Sequence, residues 1–290
     1  MERALVALHA HPDDESSKGA GAVAGYHDDG VRCVLITATG GEAGDILNPA
    51  MDRPEVEERL AEIRGRELAA AAAIIGYDEV VLLGYRDSGM PGSADNSHED
   101  AFVNADFDTV LEQVVRVVRR ERPGVFLGYD AHERYPHPDH IRVHQISLAV
   151  WHAAADAQRF PDAGPPWVIP KMYAPAWTVR RMQALHRAME ESGRESPYAR
   201  WMEGMDRDEE DERRLTAVDV GGSIERARAA LRAHETQVDP NGFWFKVPAA
   251  VVRAAYPYED FELLATRAGW DEDETDLFAG IDRPADRLPD

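Results

Sequence analysis

The chain reads as an α/β protein: a mostly parallel sheet with helices on both faces and a C-terminal elaboration. Two observations predict it. Four short β-rich runs punctuate the first half: Ala4–Leu8, Arg32–Thr37, Glu79–Leu83 and Val125–Tyr129. Segments of helical periodicity separate them, and a β-α-β-α order is that of parallel strands joined by crossover helices. The 290 residues suffice for a well-buried core, and neither an internal repeat nor a clean linker divides them. One domain over residues 1–290 is expected, with its core at about 1–180 and the elaboration at about 181–290.

Gly19–Tyr26 reads as an alanine-rich helix. Pro54–Ile75 is a stronger one, because Val56, Leu60, Ile63, Leu68, Ala72 and Ile75 recur at helical spacing. Asp52 marks its start, Glu55, Glu57 and Glu58 favour its first turns, and Gly76 stops it. Phe107–Arg120 carries Val110, Val114, Val117 and Val118 on one side, and Pro123 and Gly124 end it. Ile141–Ala155 and Ser223–His234 are further helices; Val168–Thr178, interrupted by Pro170 and Pro175, and Phe243–Phe245 are strand-like. Glu190–Glu212 is expected to be exposed and partly mobile, and the acidic tail from Asp271 to fray.

Ligands of such sheets sit beyond the carboxyl ends of the strands. The segments there are His9–Glu15, Thr39–Asp45, Gly84–Gly89 and Asp130–His140, all rich in Gly, Asp, Glu or His.

Composition excludes several functions. The 32 basic and 54 acidic residues give a formal net charge of −22, which repels phosphate backbones and anionic lipid heads. Neither nucleic acid nor membrane is an expected partner. No apolar stretch approaches the ~20 residues of a membrane span, and the N-terminus enters a strand without the layout of a signal peptide. A cytoplasmic protein is expected. Cys33, the single cysteine, cannot form an intrachain disulfide and reads as a small buried apolar residue.

Two motifs carry chemistry. "HAHPDDESSKG", His9–Gly19, crowds two histidines and three adjacent carboxylates after the first strand. His11 and Asp14 can converge on one cation across the turn that Pro12 stiffens. "YPHPDHIRVH", Tyr135–His144, follows the fourth strand and can supply a further histidine. Imidazole and carboxylate without thiolate suit Zn²⁺, and also Fe²⁺. About three protein ligands leave a catalytic zinc one position for water, whose pKa falls from about 15.7 towards roughly 7. Adjacent side chains on a turn diverge, which leaves Asp13 to take a proton from that water. A carboxylate base and a histidine acid on opposite sides of a carbonyl make an amide hydrolase. The bland readings are a solvated acidic turn for "HPDDE", and for "HPDH" a helix start capped by Asp139 with His140 exposed. His144 shares a helix face with His140 but reads better as a supporting or core histidine. His98, His132, His152 and His186 lie in polar or mixed surroundings without an evident role.

Beyond these motifs, "NPAMDRPEV", "RDSGM", "AHETQVDPNGFWF" and "DLFAG" complete a resemblance over most of the chain. The sequence resembles the metal-dependent de-N-acetylases of N-acetylglucosaminyl-inositols, and among them the mycothiol S-conjugate amidases and mycothiol-biosynthetic deacetylases. The resemblance implies a Rossmann-like fold. It implies His11, Asp14 and His140 as metal ligands and Asp13 as general base. His137 would protonate the leaving amine or stabilise the oxyanion, Tyr135 would polarise the carbonyl, and Asp139 would tune His137. Lys18, "NPAMDRPEV" and "HETQVDPNGFWF" resemble the amidase; "RDSGM" with Asp87, and "FVNAD", resemble the deacetylase. Asp45, Arg64 and Asp87 resemble sugar- or inositol-contacting positions. The bland alternatives are an Arg64–Glu67 pair on a helix surface and solvated loop carboxylates at Asp45 and Asp87.

The expected substrate is a small pseudo-disaccharide thiol conjugate, a mycothiol S-conjugate cleaved to glucosaminyl-inositol and a mercapturic acid. The first alternative is deacetylation of N-acetylglucosaminyl-inositol, or a related paralogue acting on a mycothiol-derived intermediate of secondary metabolism. The second is a non-catalytic sugar- or nucleotide-binding protein. "GAGAVA", Gly19–Ala24, is a poor dinucleotide fingerprint, since it starts well past its strand.

Overall fold

A computed structural model describes residues 3–131, 135–203 and 212–281. Its seven strands form one sheet: β1 (Ala4–His9), β2 (Arg32–Thr39), β3 (Glu79–Tyr85), β4 (Val125–Leu127), β5 (Lys171–Ala176), β6 (Leu215–Asp219) and β7 (Tyr258–Thr266). The order is β3-β2-β1-β4-β5-β7-β6. The first five strands are parallel; β7 pairs antiparallel with β5, and β6 antiparallel with β7. The predicted α/β sheet is therefore present, and the C-terminal elaboration extends it.

The helices are α1 (Asp14–Ser17), α2 (Ala20–Asp28), α3 (Pro54–Glu57), α4 (Leu60–Ile75), α5 (Phe107–Glu121), α6 (Pro138–Ala153), α7 (Val179–Glu191), α8 (Ala199–Met202), α9 (Ile224–Ala233), α10 (Phe243–Lys246) and α11 (Ala249–Ala255). One apolar cluster packs α2, α4 and α9 against one face of the sheet; a second packs α5 and α6 against the other. All six residues of β1 are buried, as a central strand covered on both faces requires.

Several expectations are corrected. Pro54–Ile75 is two helices, because Arg59 leaves helical geometry (φ −121°, ψ 20°) and bonds Glu62. Val56, Leu60, Leu68, Ala72 and Ile75 are buried on both sides of the break, so the apolar pattern does not reveal it. Arg53, not Asp52, occupies the N-cap of α3. Phe243–Phe245 is the start of a helix, not a strand. The segment from Asp271 is anchored as far as residue 281: Glu274 pairs with buried Lys171, Asp276 accepts from Tyr26 Oη, and Phe278 is in the core. In Glu190–Glu212, Ser196 and Tyr198 are buried; residues 204–211 lie outside the described residues, as does His132. No helix among the described residues is long and apolar enough to cross a membrane.

Candidate metal centre and active site

The strand order reverses between β1 and β4, the position where doubly wound sheets bind ligands. The turn after β1 and the start of α6 after β4 meet there.

His11, Asp14 and His140 converge. His11 Nδ1 and His140 Nε2 each lie 3.5 Å from Asp14 Oδ2, and 3.3 Å from each other. All three side chains are buried. Roughly 3.4 Å is the edge of a tetrahedron with ~2.1 Å metal–ligand bonds, so two imidazoles and one carboxylate at this spacing fit Zn²⁺ or a similar divalent cation. His11, Asp87, His137 and Asp139 form a second close group, which shares His11.

The surroundings orient each group. His11 Nε2 donates to Asp139 Oδ2 at 3.1 Å, which leaves Nδ1 facing Asp14 and His140. Burial opposes charge on His11, but Asp139, Asp14 and Asp87 outweigh it and raise its pKa well above the ordinary value. Burial also opposes the charge of Asp14; Lys18, His140 and His11 nevertheless hold it well below the usual carboxylate range. His140 is pushed down to about 3, mainly by burial, so it is a neutral donor of a lone pair.

Asp13 points elsewhere. Its carboxylate lies 3.2 Å from Arg64 Nη2, and its backbone takes φ 109°, unusual for a residue with a Cβ. Such a conformation costs of order 1–3 kcal/mol and persists where neighbours over-determine it. Here the Asp13 N–H donates to Glu15 Oε2 at 2.9 Å, while Glu15 Oε1 lies 2.6 Å from His234 Nε2. Arg64 also donates to the Pro12 and Gly41 carbonyls. A Cβ on Gly41 (φ +69°) would strike that guanidinium. Burial pushes the Asp13 pKa up, against the pull of Arg64, which favours a base over a spectator anion.

His137 caps α6, with Nδ1 accepting the Asp139 N–H at 3.2 Å. The ring proton is therefore on Nε2, 4.0 Å from Asp87 Oδ1. Burial and neighbouring His11 lower its pKa, so the ring is neutral near pH 7. The Asp139 side chain makes no hydrogen bond to His137 but acts on it electrostatically, raising its pKa against burial. Its carboxylate is taken by His11 and by the N–H and hydroxyl of Ser88. His137, not Asp139, is the cap, and both Asp139 and His140 are buried.

Tyr135 is half-exposed at the mouth, its ring 5.2 Å from that of His140. Asp87 is buried beside His11 at 3.5 Å and accepts the Gly89 N–H, so it is no solvated loop carboxylate. Arg64 does not pair with Glu67, which instead holds Thr236. Asp45 is exposed, at the rim, its carbonyl accepting from Gln237. Lys18 donates to Asp14, tying the start of the chain's second helix to the cluster. His144 stands aside, with Nδ1 2.8 Å from the Tyr129 carbonyl.

Sequence reasoning missed Ser88, Tyr129 and His234. Tyr129 Oη lies 3.0 Å from His9 Nδ1 and accepts the Ala10 N–H. His234 sits within the quoted "AHETQ", but its chemistry is evident only once α9 brings it to Glu15. Trp177, just past the carboxyl end of β5, was within reach of the strand-end rule. Pro175 in that strand and Pro170 just before it obscured it.

The family described as PIG-L, GlcNAc-PI de-N-acetylase, matches residues 6–151. A mycothiol S-conjugate amidase of Streptomyces coelicolor is 40% identical over 96% of this chain and 97% of its own length. A 1D-myo-inositol 2-acetamido-2-deoxy-alpha-D-glucopyranoside deacetylase of Nocardioides sp. is 37% identical over 97% and 99%. In fold, the chain is similar to N,N'-diacetylchitobiose deacetylase from Pyrococcus horikoshii, with a TM-score of 0.60 at 17% identity over 90% and 84% of the two chains. The chain belongs to the GlcNAc-PI de-N-acetylase family, as a metal-dependent hydrolase of amide bonds.

Proposed function

We propose that the protein cleaves the amide of mycothiol S-conjugates, releasing glucosaminyl-inositol and a mercapturic acid, with Zn²⁺ held by His11, Asp14 and His140. Fe²⁺ suits the same donors. The observation that carries amide hydrolysis is the divergence of Asp13 from Asp14, which leaves a carboxylate held by Arg64, and not by the cation ligands, next to the cation site. The substrate rests on the similarity to the Streptomyces amidase and on Lys18 beside Asp14.

A divalent cation there would polarise the amide carbonyl and acidify water. Asp13 takes one proton from water as its oxygen adds to the carbonyl carbon. Arg64 and the Glu15–His234 pair hold Asp13 in place for that transfer. His137 donates a hydrogen bond from Nε2–H to the developing negative charge, and the proton that Asp13 has taken from water passes to the departing nitrogen. Tyr135 donates to the carbonyl oxygen from the mouth. The C–N bond breaks, and the products are an amine and a carboxylic acid. Arg64, Asp45 and Asp87 would contact the sugar and inositol hydroxyls.

Buried Asp87, from "RDSGM", favours the second reading, deacetylation of N-acetylglucosaminyl-inositol. Competing the two substrates at equal concentration tests the choice. Faster consumption of the S-conjugate is expected; preferential release of acetate overturns it.

A further inference from the structure

Beside α1, a cleft opens between α7, α10 and the carboxyl end of β5. Its volume is about 160 Å³. An apolar cavity of roughly 150 Å³ takes a benzene ring. Trp177, Tyr198, Phe243 and Trp244 line it, as does Lys18. The Trp177 ring lies 6.2 Å from Phe243 and 5.8 Å from Trp244, and Phe243 lies 5.7 Å from Tyr198. Trp177 and Trp244 remain 42% and 38% exposed, and Trp201, packed on Trp177, 49%. Solvent-exposed tryptophans grouped in this way mark a site for an apolar ligand.

Continuity gives the occupant. Lys18 lines the cleft and also bonds Asp14, and Ser16 and Ser17 of the same short helix face the cleft while Asp14 faces the cation site. None of Arg64, Asp45, Asp87 and Glu42 lines the cleft, whose walls carry the aromatic rings together with Arg181, Arg228, Glu259 and Asp260. The aromatic group is thus separate from the polar groups around the cation site. An amide substrate that spans the site has one half for each. We infer that the aromatic cleft binds the sulfur-linked aryl or long alkyl group on the acyl half of the substrate, which makes Trp177 and Trp244 specificity-determining residues. This rests on the S-conjugate reading. An acetyl group would leave the cleft unfilled.

The test compares hydrolysis of the S-benzyl and S-methyl conjugates of mycothiol by the metal-loaded protein, together with tryptophan emission during titration with N-acetyl-S-benzylcysteine. A kcat/KM ratio of roughly tenfold or more in favour of S-benzyl is expected, the scale of added apolar contact in such a pocket. In Trp177→Ala and Trp244→Leu the ratio falls towards one, and Trp244→Phe retains most of it. N-acetyl-S-benzylcysteine changes the emission saturably in the parent protein and weakly in Trp177→Ala. Equal kcat/KM for the two conjugates, or an undiminished ratio in both truncated variants, overturns the cleft assignment and leaves the amidase reading standing. Hydrolysis of neither conjugate, with acetate still released from N-acetylglucosaminyl-inositol, overturns the amidase reading and the assignment with it.

Discussion

Asp139 accepts a hydrogen bond from His11 Nε2 at 3.1 Å, across 128 residues of chain. The contact fixes which His11 nitrogen carries the proton and turns the other towards Asp14 and His140. Asp139→Asn should lower metal affinity by about 10–100-fold, the usual effect of losing such a partner. Competition with a chelator of known affinity measures it, and unchanged affinity would remove Asp139 from this role.

Asp13 should act on the reaction rather than on the cation. Asp13→Asn keeps the shape that Arg64 contacts and loses the base. Turnover is expected to fall by roughly a hundredfold or more, with metal content unchanged by elemental analysis. Full activity would exclude Asp13 as the base.

The two histidines on α6 should separate cleanly. His140→Ala should lose stoichiometric metal, whereas His144→Ala, whose ring bonds only the Tyr129 carbonyl among the contacts described, should retain it. Metal loss in the second variant and not the first would reverse the assignment.

Cys33 gives a pH-dependent prediction far from the cation site. Burial in β2 raises its pKa from 9.0 to about 12. The unfolded thiol ionises first, so its contribution to stability is complete below about pH 9 and declines as pH rises towards 12. Denaturant unfolding of the parent and Cys33→Ala from pH 8 upward should show their stability difference moving against the parent above pH 9. A constant difference would contradict the shift.

Lys171, fully buried, holds Glu274 at 2.7 Å, and Tyr173 Oη donates to the same carboxylate. Lys171→Met should destabilise by about 3 kcal/mol, since it strands a buried charge. Adding Glu274→Leu should restore much of that loss. A double variant as unstable as the single one would show that packing, not the unpaired charge, sets the cost.

The parallel half of the sheet was legible because the apolar runs and helical repeats there are local. His11, Asp13 and Asp14 were legible for the same reason, sharing one turn after one strand. The break at Arg59 was not, because both fragments bury the same face. Nor was the helical state of Phe243–Lys246, since three aromatics in a row carry no period.

The sequence by itself determined the α/β order, the strand ends that bear the chemistry and the donor types suited to a divalent cation. Only the tertiary structure decided that Asp139 hydrogen-bonds His11, that His234 steadies Glu15, and that the aromatic cleft abuts Lys18. Those pairings join residues as much as 219 apart. They depend on how the helices pack across the two faces of the sheet, and no local pattern in the chain encodes that packing.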